Sequence, residues 1–114
     1  MPLERSSHRI SPRNFGEILI HLRLPNVELL GFIENISDDG VGAMVPVDEN
    51  ETIRLNAEDV IVGVIGRKHD ANEHEFTGRV ARSSRIQIGN DYFQGIGIEI
   101  DGGVDDALLD LVLK

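Results

Sequence analysis

The chain has 114 residues, a net charge of −9 and no cysteine. That length suits a single domain able to bury about two-thirds of its unfolded surface. Without cysteine there is no disulfide framework or thiolate metal site; the acidic balance argues against a general DNA or RNA binder, and no run of about 18 apolar residues offers a membrane span.

Residues 1–14 carry Arg5, Arg9 and Arg13 against the single acid Glu4, a net charge of +2 that leaves −11 on the rest of the chain. The stretch lacks apolar periodicity and holds Pro2 and Pro12. It is expected to be an arm that stays extended or disordered without ligand. Its start is polar, with no apolar signal core, so a soluble, unexported, cytoplasmic protein is expected. The second unit, 15–114, reads as the folded body.

From Glu17 to Leu24, Ile18, Ile20, Leu22 and Leu24 alternate with Glu17, His21 and Arg23, which predicts a half-buried strand. Pro25-Asn26 makes a turn. A second strand is predicted from Leu29 to Ser37, with Leu30, Phe32, Glu34 and Ile36 on one face and Leu29, Ile33, Asn35 and Ser37 on the other. Asp38-Asp39-Gly40 has hairpin-turn chemistry, and Val41–Val47 follows as a third strand. Asp48–Asp59 is an acidic connection with room for one helical turn around Leu55–Glu58.

Val60–Ile65 is apolar on both faces, which predicts a central, covered strand that Gly63 and Gly66 allow to bend. Lys68–Glu75 reads as a polar loop. Phe76–Ser84 and Tyr92–Ile100 form a last pair of strands around Gly89-Asn90-Asp91, with Ile96, Ile98 and Ile100 toward the core. Six short strands without intervening helices predict an all-β fold, a small antiparallel barrel. After Gly102-Gly103, Val104–Leu113 predicts a short helix, with Asp105 and Asp106 in its first turn and Lys114 at its end to complement the dipole. Val104, Leu108, Leu111 and Val112 suit packing on the barrel. Leu109 and Leu113 leave two readings open, a fully packed helix or contact with a second chain in a homodimer.

Two short patterns carry the functional information: Arg5-x-x-x-Arg9 and, after 25 intervening residues, Asn35-Ile36-Ser37-Asp38-Asp39-Gly40. A guanidinium fork matches both a phosphate and the O6/N7 edge of guanine. Asn35 supplies an amide donor and acceptor, Ser37 a hydroxyl, and Gly40 a position where the backbone can take positive φ and approach a ligand closely. Each half alone is commonplace; the two in this order at a restricted separation are not.

The pair resembles the signature of the PilZ domain, a family that contains bacterial receptors for cyclic di-GMP. The segments ENISDDGVGAMVP (Glu34–Pro46) and TGRVARSSRIQIGNDYFQGIGIEI (Thr77–Ile100) are similar to the family's second and third strands and to its closing hairpin. Asp48–Asp59 is the least family-like stretch. The resemblance implies a non-enzymatic second-messenger receptor without a cofactor, whose ligand is cyclic di-GMP bound by Arg5, Arg9, Asn35, Ser37 and Gly40. It implies that the arm folds over the barrel on binding and changes the surface offered to a downstream protein partner. Asn35 stands where many relatives have Asp, which weakens its hold on a guanine N1–H and N2–H₂ edge. Glu4 precedes the arginine pair where some relatives carry Arg, so one ligand per chain is expected. The rival expectation is an adaptor module that binds a protein without nucleotide.

Other chemistry is not indicated. His69 and His74, with Asp70, Glu73 and Glu75, are spaced wrongly for one helix face, and a solvated loop is expected there. No nucleophile elbow, Gly-x-x-x-x-Gly-Lys loop or His-Glu-x-x-His helix occurs.

Overall fold

The alternation read in the first strand is what folds: in β1 (Ile18–Arg23) Ile18, Ile20 and Leu22 are buried while Leu19, His21 and Arg23 face outward. The structure is a computed structural model that describes residues 17–68 and 71–113. The expected arm, with Arg5 and Arg9, lies outside the described residues, as do His69, Asp70 and Lys114. β1 is followed by β2 (Glu28–Ile36), β3 (Gly40–Val47), β4 (Val60–Arg67), β5 (Glu73–Ile88), β6 (Asp91–Ile100) and a helix, α1 (Asp106–Leu113). All neighbouring strands pair antiparallel. The order β1-β2-β3-β6-β5-β4 closes on itself because β1 pairs with both β2 and β4, so the predicted six-stranded barrel is present and each strand has a partner on both sides.

Inward residues from every strand meet in one core: Ile20, Ile33, Val41, Ala43, Ile61, Ile65, Val80, Ile96 and Ile98 are all essentially sealed from water. Such side chains contribute about 1.5–3 kcal/mol each on burial, which explains why aliphatic alternation dominates the strands. α1 covers one side of the barrel with Leu108 and Val112. Leu109 also packs against the core, while Leu113 is exposed.

The helix is capped as its sequence implies. Asp105 precedes α1 and its Oδ1 accepts from the Leu108 backbone N–H at 2.9 Å. That hydrogen bond, aided by His74, holds the Asp105 carboxyl below the usual carboxylate range. At the other end Arg67 donates to the Leu111 carbonyl at 2.9 Å and to the Val112 carbonyl at 3.4 Å. A cation from β4 thus satisfies the last turn, a task the sequence had suggested for Lys114.

Four expectations need correction. The β2 faces change phase at an irregularity between Ile33 and Asn35: Leu29 and Ile33 point inward, and so does Ile36, because Glu34 is an extra residue that resets the alternation. Asn35 therefore does not share a face with Ile33. β4 is not the covered strand, since Val60 and Val62 are 57% and 50% exposed; β3 is buried on both faces instead, including Met44. No helical turn forms at Leu55–Glu58. The chain makes a plain turn at Ala57-Glu58, with Glu58 at φ 74° and its carboxylate 3.1 Å from Arg79. Glu73–Glu75 belong to β5, which also runs four residues beyond Ser84 to a two-residue loop at Gly89-Asn90; Gly89 there takes φ 61°.

Candidate functional site

The signature residues on β2 and its turn occupy one end of the barrel. Ser37 follows β2 and is only 8% exposed. Its Oγ accepts from the Asp39 N–H at 3.4 Å and lies 3.5 Å from the Gly40 carbonyl, while its own N–H donates to that carbonyl at 2.9 Å. The hydroxyl thus braces the Ser37–Gly40 turn. Two further bonds pin the turn to the end of β6: the Asp39 carbonyl accepts from the Ile100 N–H at 2.9 Å and the Asp38 carbonyl from the Val104 N–H at 2.8 Å.

Gly40 is glycine for a reason other than the one the sequence suggested. Its φ is not positive. A β carbon there would overlap the Ile98 carbonyl oxygen, so only glycine lets β3 lie this close to β6.

Asn35 points outward at the point where the β2 irregularity ends. Its amide nitrogen donates to Glu34 Oε1 at 3.3 Å. The amide lies across Gly42, with Oδ1 and Nδ2 2.7 and 2.8 Å from where a Gly42 β carbon would stand. The register then continues over the sheet: Asn35 faces Gly42, Gly42 faces Gly97, and Gly97 faces Arg82. Arg82 in turn lies across Gly97, with Cγ and Nε 2.9 and 3.3 Å from the corresponding position. Four strands thus present one transverse row, about 14 Å long at the usual strand spacing. A polar side chain stands at each end, and bare backbone lies between. A shallow cleft of about 200 Å³ sits over it, bordered also by Glu34, Ser84 and Ile86.

Arg82 was missed by sequence reasoning because nothing in Arg79–Arg85 distinguishes one of its three arginines from the others. Its place follows from a second irregularity, between Val80 and Arg82, where Ala81 is extra. Val80 is inward, so strict alternation would have aimed Arg82 into the core as well.

Of the larger hollows, the two most spacious among the described residues fit a nucleotide less well. One of about 410 Å³ beside Tyr92 and Phe93 is bordered by Asp48, Glu49 and Asp91, which would repel phosphate. The other, about 560 Å³ between α1 and the start of β5, holds Arg67, but that guanidinium is occupied by the helix carbonyls. His74, expected in a solvated loop, is on β5 and 3.2 Å from Asp105. Among the described residues no group of three or more His, Asp or Glu is arranged to hold a metal ion, and no helix is long and apolar enough to cross a membrane.

Solved structures resemble this architecture across almost the whole chain. The PilZ domain with c-di-GMP of YcgR from Escherichia coli matches with a TM-score of 0.65 at 14% identity, over 96% of this chain and 86% of that one. The PlzA protein of Borreliella burgdorferi, in complex with c-di-GMP, matches with a TM-score of 0.57 at 13% identity over 87% of this chain. The Bacillus subtilis inhibitor of motility MotI/DgrA gives 0.52 at 14% over 98%. The chain spans 43% of the PlzA chain and 53% of the MotI/DgrA chain. No family model matches the sequence, and no curated protein matches it. With the strand order, the closing β1–β4 pair and these backbone likenesses in hand, the fold of this chain is that of the PilZ domain.

Proposed function

We propose that this protein is a receptor for cyclic di-GMP that binds through Arg5, Arg9, Asn35, Ser37 and Gly40 and signals by ordering its N-terminal arm. The observation that carries this reading is a matter of register. Leu19 faces Phe32, so the chain enters β1 at Glu17 beside the Glu34–Asn35 end of β2, one strand spacing of about 5 Å away. Arg9 is eight residues upstream of Glu17, a reach of up to roughly 26 Å. A leader attached there can bring both arginines over the row that starts at Asn35. Two of the comparison structures are complexes with c-di-GMP, one of them of a PilZ domain, which supports the choice of ligand.

In this reading the two arginines grip guanine edges and phosphates from above. Asn35 reads a guanine edge from the sheet. Ser37 and Gly40 act by holding the turn, since the hydroxyl is already committed to it. Ordering a dozen arm residues costs on the order of 10 kcal/mol of backbone entropy, so ligand contacts must offset that loss before the arm settles. The arm laid over the barrel is then the new surface that a downstream protein meets.

Calorimetric titration with cyclic di-GMP, paired with thermal melting and a GTP control, tests the proposal. One ligand per chain is expected, together with a melting temperature raised by roughly 10 °C at a hundredfold excess over Kd. Absence of both heat and shift would leave the adaptor reading. That reading has its own support in the outward apolar residues Leu30, Val60 and Val62, which suit a protein partner.

A further inference from the structure

Both ends of the Asn35–Gly42–Gly97–Arg82 row share one construction. On β2 the extra residue Glu34 turns Asn35 outward, and on β5 the extra residue Ala81 does the same for Arg82. Irregularities of this kind re-aim side chains, and they gather at sites. Between the ends, Gly42 and Gly97 are paired with each other. A β carbon at either would displace the polar group lying on it, the Asn35 amide in one case and the Arg82 side chain in the other. Two adjacent strands therefore lack side chains at the very points where polar groups from the flanking strands lie down.

Charge distinguishes the two ends. Glu34 and Asn35 supply a carboxylate and an amide, joined at 3.3 Å, and together they present acceptors to a donor edge. Arg82 supplies a planar cation. It is exposed, and among the described residues it enters no ion pair. The other arginines of the same strand are engaged: Arg79 with Glu58 and Asp101, and Arg85 over the Tyr92 ring at 5.1 Å and with the Asp48 carbonyl at 3.2 Å. A guanine has a donor edge at N1–H and N2–H₂ and an acceptor edge at O6 and N7, and its nucleotide carries phosphate. The row offers a partner for each of these.

We infer that Arg82 is a further ligand-binding residue, a cation built into the barrel that engages the phosphate or the O6/N7 edge of a guanine nucleotide lying over Gly42 and Gly97. The inference rests on the receptor reading above and adds to it a contact that neither signature pattern contains. It also offers a compensation for the neutral Asn35: affinity lost at the donor edge is recovered at the opposite end. The Ala81 irregularity turns the Arg82 side chain to the outer face on which the row lies.

The test is calorimetric titration of the full chain with cyclic di-GMP for the wild type and four variants, each checked by thermal melting without ligand. Arg82→Ala and Gly97→Ala are expected to weaken binding about tenfold, the second by pushing the guanidinium aside while keeping its charge. Arg82→Lys should recover little, because a point charge lacks the fork. Arg85→Ala, which removes an equal charge three residues from the row's end at Arg82, should change affinity less than about twofold at 0.15 M salt. Wild-type affinity in Arg82→Ala, or an equal loss in Arg85→Ala, would overturn the assignment while leaving the receptor reading intact. No binding by the wild type would overturn both. Unchanged affinity in Gly97→Ala would refute the placement of the guanidinium over that glycine.

Discussion

Gly40→Ala asks whether the glycine of the signature serves the ligand or the barrel. Gly40 pairs with Glu99 across β3 and β6, and an added β carbon would overlap the Ile98 carbonyl oxygen. That oxygen belongs to backbone held in the β3–β6 ladder, so it cannot swing away as a side chain could, and the strands themselves must part. Overpacking in a well-filled interior costs about 1–3 kcal/mol. A backbone obstacle sets this case near the upper end, about 3 kcal/mol, which for a domain of this size lowers the melting temperature by roughly 12 °C. The companion variant is Gly97→Ala. There the obstacle is Arg82 Cγ at 2.9 Å, on an exposed side chain that is free to move, and a change within about 0.5 kcal/mol is expected. Urea denaturation and thermal melting, both without ligand, measure the two side by side. If Gly40→Ala melts within about 2 °C of the wild type, or if Gly97→Ala falls as far as it does, the packing argument is wrong.

Arg9→Ala should weaken cyclic di-GMP binding at least tenfold by calorimetry, about 1.4 kcal/mol or more for a charge-assisted contact; unchanged affinity would place the ligand elsewhere. Hydrogen exchange of residues 1–13 should slow when ligand is added, and equal rates with and without it would refute signalling by the arm even if binding survives. Gly42→Ala should displace the Asn35 amide and reduce affinity roughly fivefold with little change in the melting of the free protein, as calorimetry and a melting scan would show. Asp105→Ala should lower the melting temperature by a few degrees near neutral pH through loss of the cap on Leu108. Because the folded protein holds the Asp105 carboxyl below its ordinary range, the benefit is fully present above the unfolded value and is lost as pH falls through the folded one. The gap between wild type and variant should therefore narrow below about pH 4, and a gap that is constant with pH would rule out the cap as its source.

Most of the barrel was legible because aliphatic alternation and turn residues act locally. Ile18, Ile20 and Leu22, and likewise Ile96, Ile98 and Ile100, needed only a period of two to be assigned inward. The helix was legible for a similar reason, since Asp105 and Asp106 sit where a cap and a first turn want acids. What escaped was whatever depends on partners far along the chain. Glu34 and Ala81 break the alternation without any local mark, so the facing of Asn35 was misread and Arg82 was not singled out. The valines of β4 looked like a covered strand, yet coverage depends on what packs outside. Here β3 is the one buried on both faces. Gly40 was noticed for its backbone freedom, while its reason lies in a carbonyl 58 residues later.

The single-residue insertions at Glu34 and Ala81 have a consequence for how such a site is gained or lost. Deleting Ala81 would set Arg82 directly after the inward Val80 and so leave it outward opposite Gly97. Losing the residue after Arg82 instead would let Ala81 face Gly97 and turn the guanidinium toward the hydrocarbon interior, where an unpaired cation is hardly tolerated, with every residue named in the cleft unchanged in identity. Comparing letters at matched positions would miss that event. In a barrel of this kind, binding can disappear by a change of spacing alone.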